Sequence, residues 1–300
     1  MAKSYDFIRA VRPFSFPVAL ITCGLGILMA FLDGVWSPSK AGLILVAGIL
    51  LQAGVNLIND YADLTTHPQL NNKKASSLLA ARQIVRNFQL GLLAILLAAV
   101  IGFYLVIQSD PLLLWICVIG FVGCLGYTLP PLSFKHRGLG VVLVFWLMGV
   151  LMVKGSYLAL GANFNLQVVL MSLPISCLVS LLLLSNELRD YEVDAAQHIT
   201  TLTVKIGYEK AQWLYIGLLV MSVLVSLALW LFGLLPTPYW LILSLPFLIK
   251  PFRLLSAEPA ARMALTPATA RFLLLFGLCF ALTLVQPILI GVFYTFYTNT

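Results

Sequence analysis

Long apolar runs, separated by short polar connections, are the feature that most limits how this chain can fold. A helix needs about 20 apolar residues to cross the hydrocarbon of a bilayer, and most of the runs approach or exceed that length. The alternating pattern of a transmembrane barrel is absent. We predict membrane-crossing helices over residues 13–33, 41–60, 87–108, 111–128, 139–160, 166–187, 211–233, 237–250 and 271–297.

Composition supports the same class of protein. Only 10% of the 300 residues are charged and 61% are hydrophobic, whereas a soluble domain carries about 25% charged residues. The five cysteines lie inside apolar runs and form no CxxC pair, so they predict neither a zinc site nor a disulfide framework. The sequence therefore predicts an all-α, polytopic membrane helix bundle of about nine transmembrane helices, built as a single domain over residues 1–300.

The basic residues indicate how this bundle is oriented. All lysines and arginines except Lys40 and Lys154 lie near the N-terminus or in the connections that follow the second, fourth, sixth and eighth runs. The positive-inside rule places that side in the cytoplasm. We therefore expect a cytoplasmic N-terminus and an outside C-terminus. We also expect the net charge of +7 to serve contact with anionic lipid rather than with nucleic acid.

Two acidic clusters stand at the ends of the second and sixth runs, on the predicted cytoplasmic side. The first is NDYAD at 59–63, preceded by Asn56, and the second is NELRDYEVD at 186–194. Together they contain six of the eleven Asp and Glu residues in the chain. Carboxylates at the edge of a membrane bundle are costly, so they indicate a function.

Helical spacing puts the oxygen-bearing side chains of the first cluster on one face. Asn56, Asp60 and Asp63 fall at i, i+4 and i+7, and Asn59 pairs with Asp63 at i, i+4. Mg²⁺ takes oxygen ligands, and substrate phosphate oxygens complete its coordination. This face is therefore a candidate metal site.

The second cluster has the same property. Asn186, Asp190 and Asp194 form a ladder at i, i+4 and i+8. Two such faces could grip one diphosphate from both sides, with metal ions that neutralise the charge of the leaving group. The alternative is ordinary helix capping, with these acids paired to Arg189 or to loop lysines.

Basic residues near the two clusters could bind a diphosphate as point charges or as bidentate forks. Lys73 and Lys135 are favoured because their loops are expected to lie close to the acidic helix ends. The full candidate set is Lys73, Lys135, Arg137, Arg189 and Lys205. The alternative for each is that it only sets membrane orientation.

Six short strings, in their order and spacing, resemble the UbiA superfamily of intramembrane prenyltransferases. The closest branch is the 1,4-dihydroxy-2-naphthoate prenyltransferases of menaquinone synthesis. The superfamily motifs NDxxDxxxD and DxxxD correspond to Asn59-Asp60 with Asp63, and to Asp190 with Asp194. The strings are NLINDY (56–61), GYT (126–128), RGLG (137–140), GSY (155–157), NELRD (186–190) and TLTVKIG (201–207).

The resemblance implies a nine-helix bundle around a central cavity in a bacterial inner membrane. It implies an allylic polyprenyl diphosphate bound through two Mg²⁺ ions, with its tail in an apolar groove open to lipid, and a small aromatic acceptor that attacks the allylic cation. The metal ligands would be Asp60, Asp63, Asp190 and Asp194.

The resemblance also implies roles for other residues of the two clusters and their surroundings. The amides Asn56, Asn59 and Asn186 would orient the aspartates or bind the metals directly. Tyr127 and Tyr191 would line the cavity and shield the cation through their ring faces. Anchoring at the membrane interface is the alternative for both tyrosines.

Several positions depart from the family pattern, and they leave other functions open. His67 stands where the third acid of the first motif is expected, Val141 where Glu is usual, and Glu187 where Asn is common. A UbiA-type terpene cyclase, which quenches the cation within its own chain, is one alternative. A cation-coupled transporter is another, with Lys154 as the one charge deep in a span.

Overall fold

The fold is known from a computed structural model, which describes residues 7–66 and 78–298 apart from the side chains at 9, 60, 62–66, 78–81 and 291–298. All regular elements in this part of the chain are helices. They are α1 (Phe7–Val11), α2 (Phe16–Leu32), α3 (Pro38–Thr66), α4 (Leu78–Ile107), α5 (Leu112–Thr128), α6 (Gly140–Leu160), α7 (Leu166–Ala196), α8 (Leu202–Ile206), α9 (Tyr208–Leu231), α10 (Ile249–Leu255), α11 (Pro259–Arg262) and α12 (Leu265–Thr298).

Three 3-10 segments, Pro13–Ser15, Phe134–Arg137 and Tyr239–Leu248, connect or precede these helices, and α6 has a π-helical middle, Phe145–Leu151. Seven helical segments within the described ranges are long and apolar enough to cross a membrane. They are Pro13–Leu32, Pro38–Asn59, Arg82–Ile107, Gly140–Leu160, Leu166–Ala196, Tyr208–Leu231 and Pro259–Ile290. The apolar helix α5, with 17 residues, is shorter. The predicted class, an all-α membrane bundle, is confirmed.

The predicted eighth helix, 237–250, differs from the structure. This stretch is a 3-10 segment, Tyr239–Leu248, that continues into α10, and Pro246 inside it cannot donate the backbone hydrogen bond of a regular helix. The segment still returns the chain across the bundle, because Leu255 at the end of α10 lies beside the start of α9. There the Tyr208 hydroxyl donates to the Leu255 carbonyl over 2.7 Å.

Both acidic clusters lie within helices that extend further than their apolar runs. α7 has 31 residues and continues to Ala196, nine beyond the predicted end, and α3 continues to Thr66. At 1.5 Å per residue α7 is about 46 Å long, which exceeds the hydrocarbon thickness of about 30 Å. The polar ends of these helices therefore project beyond the apolar layer.

α7 is the central helix of the bundle and the one that positions the second cluster. Leu178, Leu181, Leu184 and Leu188 are fully buried, and the helix packs against α2, α6, α9 and α12. A helix that is apolar on all sides belongs inside a bundle. The cluster on its last turns is thus held on the most enclosed element.

Small residues allow the helices around α7 to pack closely. A Cβ on Gly91 of α4 would lie 3.0 Å from the Gly54 carbonyl oxygen of α3, and one on Gly26 of α2 would lie 2.3 Å from the Val153 oxygen of α6. Close backbone approach at small residues is the usual basis of helix packing in membranes. These contacts fix the walls of the cavity.

Candidate active site

A cavity of about 520 Å³ runs between α2, α3, α4, α5, α6 and α7. Its walls are mostly apolar. It extends along α5 from Leu113 to Tyr127, a rise of about 21 Å for a helix. Phe103 of α4 and Phe121 of α5 line it and are also exposed on the outer surface, so the cavity reaches the lipid-facing side between these two helices. The predicted central cavity is present.

The polar end of the cavity lies where the two acidic clusters begin. Asn59 of α3 and Asn186 of α7 both line it. Asn59 is buried and accepts a hydrogen bond from the Thr128 hydroxyl, which ties α3 to the end of α5. The structure thus brings the first residues of the two motifs to one end of one cavity.

The rest of the first cluster is less fully described. Asp60 and Asp63 follow Asn59 on the same helix α3, in the predicted helical register, but their side chains lie outside the description. His67 and Lys73 fall outside the described residues altogether.

Asn56 faces the start of α2, one turn before Asp60. Its amide nitrogen donates to the Val11 carbonyl over 2.8 Å and to the Ser15 hydroxyl over 2.9 Å. Gln52, a further turn back, donates to the same hydroxyl over 3.1 Å. These bonds fasten the N-terminal segment over the cavity. They also make Asn56 a member of a polar cluster in its wall.

On α7, neighbouring members of the second cluster have different partners. The Asn186 Oδ1 atom is buried and has no hydrogen-bond partner within the described part of the chain. One turn on, both oxygens of Asp190 accept from Arg189, over 2.8 and 2.5 Å. Arg189 also donates to the Thr266 hydroxyl of α12 over 3.3 Å. Because Arg189 pairs with Asp190 here, its predicted contact with substrate would require it to share or leave that carboxylate.

The two predicted aromatic residues occupy different environments. Tyr127 is buried at the end of α5 and lines the cavity. Tyr191 is partly buried and packs on Tyr208 of α9, with ring centroids 5.4 Å apart, and it does not contribute to the wall of this cavity. Of the two rings, only Tyr127 is placed to face a bound substrate.

Three predicted basic residues come together beside the second cluster. Lys135 and Arg137 lie in the 3-10 turn Phe134–Arg137. Lys205 of α8 donates to the Arg137 carbonyl over 2.7 Å, and Arg137 donates to the Pro131 carbonyl over 2.8 Å. We refer to Lys135, Arg137 and Lys205 as the basic edge.

Glu187 connects the basic edge to α7, and the predicted site did not include it. It is 5% exposed and accepts hydrogen bonds from both the backbone nitrogen and the hydroxyl of Thr203, over 3.0 and 3.1 Å. Thr203 lies in α8 two residues before Lys205. The sequence indicated this role only through the departure from the family pattern at position 187. Thr203, the partner of Glu187, lies 16 residues away, so helical spacing could not identify it.

Arg262 was also missed. It is 4% exposed, donates to the Glu192 carboxylate over 2.8 Å and to the Leu188 carbonyl over 3.1 Å, and lies over the Tyr208 ring at 4.3 Å. It joins α11 to the end of α7. A contact between residues 70 positions apart has no local sequence signal.

Lys154, the charge inside the fifth run, lies away from this site. It is on the last turns of α6, above the Phe164 ring at 3.7 Å from the nitrogen to the centroid. Nearby, the Tyr157 hydroxyl donates to Asp33 at the end of α2 over 2.5 Å. These contacts lie at the end of the bundle opposite the acidic clusters.

The donor atoms at the polar end suit a hard divalent cation. They are amide oxygens of Asn59 on α3 and Asn186 on α7, and the Asn186 oxygen is buried with no hydrogen-bond partner among the described residues. Among the residues that the structure describes, no group of three or more His, Cys, Asp or Glu side chains is close enough to hold a metal ion.

Comparisons with known proteins agree with this arrangement. Residues 19–262 match the UbiA prenyltransferase family. The chain is 28% identical over 233 residues to the 1,4-dihydroxy-2-naphthoate octaprenyltransferase of Mycobacterium leprae, covering 76% of this chain and 79% of that one. It is 26% identical over 295 residues to the enzyme of the same name from Escherichia coli, covering 94% and 96%.

Solved structures show the same fold. A UbiA homologue from Archaeoglobus fulgidus, bound to GPP and Mg²⁺, superposes with a TM-score of 0.61 at 15% identity, over 92% of this chain and 99% of that one. An apo UbiA homologue from Aeropyrum pernix gives a TM-score of 0.61 at 14% identity, over 95% and 100%. The chain is a membrane-embedded enzyme that belongs to the UbiA prenyltransferase family.

Proposed function

We propose that this enzyme transfers a prenyl group from an allylic polyprenyl diphosphate to 1,4-dihydroxy-2-naphthoate or a similar hydroxylated aromatic acid, in a Mg²⁺-dependent reaction. The observation that carries the proposal is one apolar cavity whose polar end joins Asn59 and Asn186, the first residues of the two acidic motifs. Such a cavity fits a molecule with a long hydrocarbon tail and an anionic head.

The anionic head would lie between the ends of α3 and α7. Asp60, Asp63, Asp190 and Asp194 would hold two Mg²⁺ ions, with Asn59 and Asn186 beside them. The ions would neutralise charge on the departing diphosphate. Lys135, Arg137 and Lys205 of the basic edge, together with Lys73 and Arg189, would pair with its outer oxygens.

The chemistry exchanges one bond for another at the first carbon of the prenyl chain. Its bond to the diphosphate oxygen breaks, and the diphosphate leaves with the electron pair. A ring carbon of the acceptor then supplies a pair to form the carbon–carbon bond, and the ring loses carbon dioxide or a proton. The buried ring of Tyr127 would stabilise the intervening cation through its face.

One structural feature and one comparison support the substrate assignments. The apolar wall that reaches the surface between α4 and α5 would let a long tail extend into lipid. The relatives from Mycobacterium leprae and Escherichia coli are 1,4-dihydroxy-2-naphthoate octaprenyltransferases by name, and similarity to them supports a naphthoate acceptor.

The polar end would face the cytoplasm of a bacterium, because the basic residues gather there. α12 begins at that end, where Thr266 meets Arg189, and runs toward the other. A reporter that fluoresces only in the cytoplasm should therefore stay dark when fused to the C-terminus. Fluorescence from that fusion would contradict the orientation.

The experiment that tests the function measures product with and without acceptor. Purified enzyme in lipid is incubated with a polyprenyl diphosphate and Mg²⁺, and organic products are separated by chromatography. We expect prenylated naphthoquinol only when the naphthoate is added, and none after chelation of Mg²⁺. Cyclised hydrocarbon or alcohol formed without acceptor would contradict the proposal and identify a cyclase.

A further inference from the structure

Gln52 is a buried polar residue in the apolar wall of the cavity, and the sequence prediction did not include it. It lies on α3, seven residues before Asn59, and therefore about 10 Å deeper along the helix. It is 6% exposed and lines the cavity. It extends the helical ladder of Asn56 and Asp60 by one turn toward the interior.

The hydrogen bonds of Ser15 fix the orientation of the Gln52 amide. The Ser15 hydroxyl donates its proton to the Arg12 carbonyl over 2.8 Å, so toward Asn56 and Gln52 it can only accept. Asn56 and Gln52 each present their amide nitrogen to it, over 2.9 and 3.1 Å. The Gln52 Oε1 atom therefore points away from Ser15.

That Oε1 atom is buried and has no hydrogen-bond partner among the residues that the structure describes. An unsatisfied buried acceptor is destabilising and rare in native proteins. A ligand that donates a hydrogen bond to this oxygen would remove the cost. The cavity wall at Gln52 therefore favours a ligand with an O–H or N–H donor.

The two substrates differ in what they can offer such an acceptor. The prenyl tail is hydrocarbon and the diphosphate is an anion that accepts hydrogen bonds, so neither brings a donor. A hydroxylated aromatic ring brings one. The apolar side chains of Phe14, Val18 and Val55 line the same cavity and suit the faces of such a ring.

We propose that Gln52, held by Ser15, is the binding site for a hydroxyl group of the aromatic acceptor. The ring would then lie below the diphosphate, beside the first carbon of the prenyl chain. This inference rests on the proposed function, since a cyclase would have no acceptor to bind.

The test measures the wild type and two variants with each of three acceptors. Gln52→Met keeps the length of the side chain but removes its polar atoms, and Leu50→Met, on the same helix and outside the cavity lining, is the matched control. Each protein is assayed with 1,4-dihydroxy-2-naphthoate and with its two mono-O-methyl ethers, and kcat and KM are measured for acceptor and for prenyl diphosphate.

We expect Gln52→Met to raise the KM for the dihydroxy acceptor about tenfold, as for the loss of one hydrogen bond, with the KM for prenyl diphosphate within about twofold of wild type. One methyl ether should be a poorer acceptor than the parent for the wild type and for Leu50→Met. That preference should disappear in Gln52→Met.

Two results would overturn the proposal. The first is an equal loss of activity by Gln52→Met with all three acceptors, which would indicate a structural role. The second is unchanged kinetics, which would indicate that a water molecule satisfies Oε1. Failure of the proposed function is separate, because the wild type would then prenylate none of the acceptors.

Discussion

Asp190 and Asn186 lie one turn apart on α7, yet both oxygens of Asp190 accept from Arg189, while the Asn186 oxygen has no partner among the described side chains. A carboxylate this well paired is ordinarily structural. We propose that Asp190 is nevertheless a metal ligand, because Arg189 could release one carboxylate oxygen to the metal and pair with the diphosphate instead.

At this residue we predict that Asp190→Asn lowers prenyl transfer at least 100-fold, a typical loss when one group that stabilises transition-state charge is removed. The protein should still fold, since the amide keeps an oxygen for Arg189. Diphosphate release is the measurement. Glu209→Gln, an exposed acid at the start of α9, is the control for loss of a charge, and activity similar to that control would refute the assignment.

At the same scale, the sequence predicted the two ladders because helical period alone aligns Asn186, Asp190 and Asp194. It did not predict Gln52. That residue lies on the same helix face as Asn56, but its proposed role depends on the hydrogen bond between its amide nitrogen and the Ser15 hydroxyl. Only the packing of α2 against α3 brings these two side chains together.

At the scale of elements, Glu187 holds α8 against α7 and so sets the position of Lys205. We predict that Glu187→Ala raises the KM for prenyl diphosphate about tenfold, because the basic edge loses its support. Glu187→Gln should restore most of the affinity, since its side-chain oxygen can still accept from Thr203. Equal effects of both substitutions on kcat alone would contradict a positioning role.

Gly120 of α5 offers a test of where the prenyl tail lies. It lines the cavity, and a Cβ there would meet nothing within 4 Å, so Gly120→Phe can fold while it narrows the passage. We predict a loss of activity with a long polyprenyl diphosphate and little change with a dimethylallyl or geranyl substrate. Gly24→Phe, also in open space but outside the cavity lining, is the control, and equal losses with short and long chains would refute the assignment.

The elements themselves were largely predictable, because hydropathy locates the part of each helix that crosses the membrane. The ends were not. α4 begins at Leu78 and α7 ends at Ala196, since helices continue into water where hydropathy gives no signal. The stretch at 237–250 is apolar but contains Pro238 and Pro246. A proline inside a helix removes a backbone hydrogen bond, which hydropathy does not register.

At the scale of the whole molecule, Arg262 links the two halves of the chain at the site end. It is almost fully buried and joins α11 to Glu192 and to the Leu188 carbonyl. We predict that Arg262→Ala lowers the free energy of unfolding by about 2 kcal/mol, the scale of hydrogen bonds to a charged group. The exposed Arg253→Ala is the control in thermal unfolding in detergent, and equal melting temperatures would refute this role.

The central claim is that two acidic faces, one on α3 and one on α7, act together on one diphosphate. The most direct measurement is acceptor-dependent prenyl transfer in Mg²⁺ by Asp60→Ala and Asp194→Ala, each compared with wild type and each checked for folding by its melting temperature. We predict that either substitution alone reduces transfer at least 100-fold in a folded protein. Near-normal transfer by either variant would contradict it.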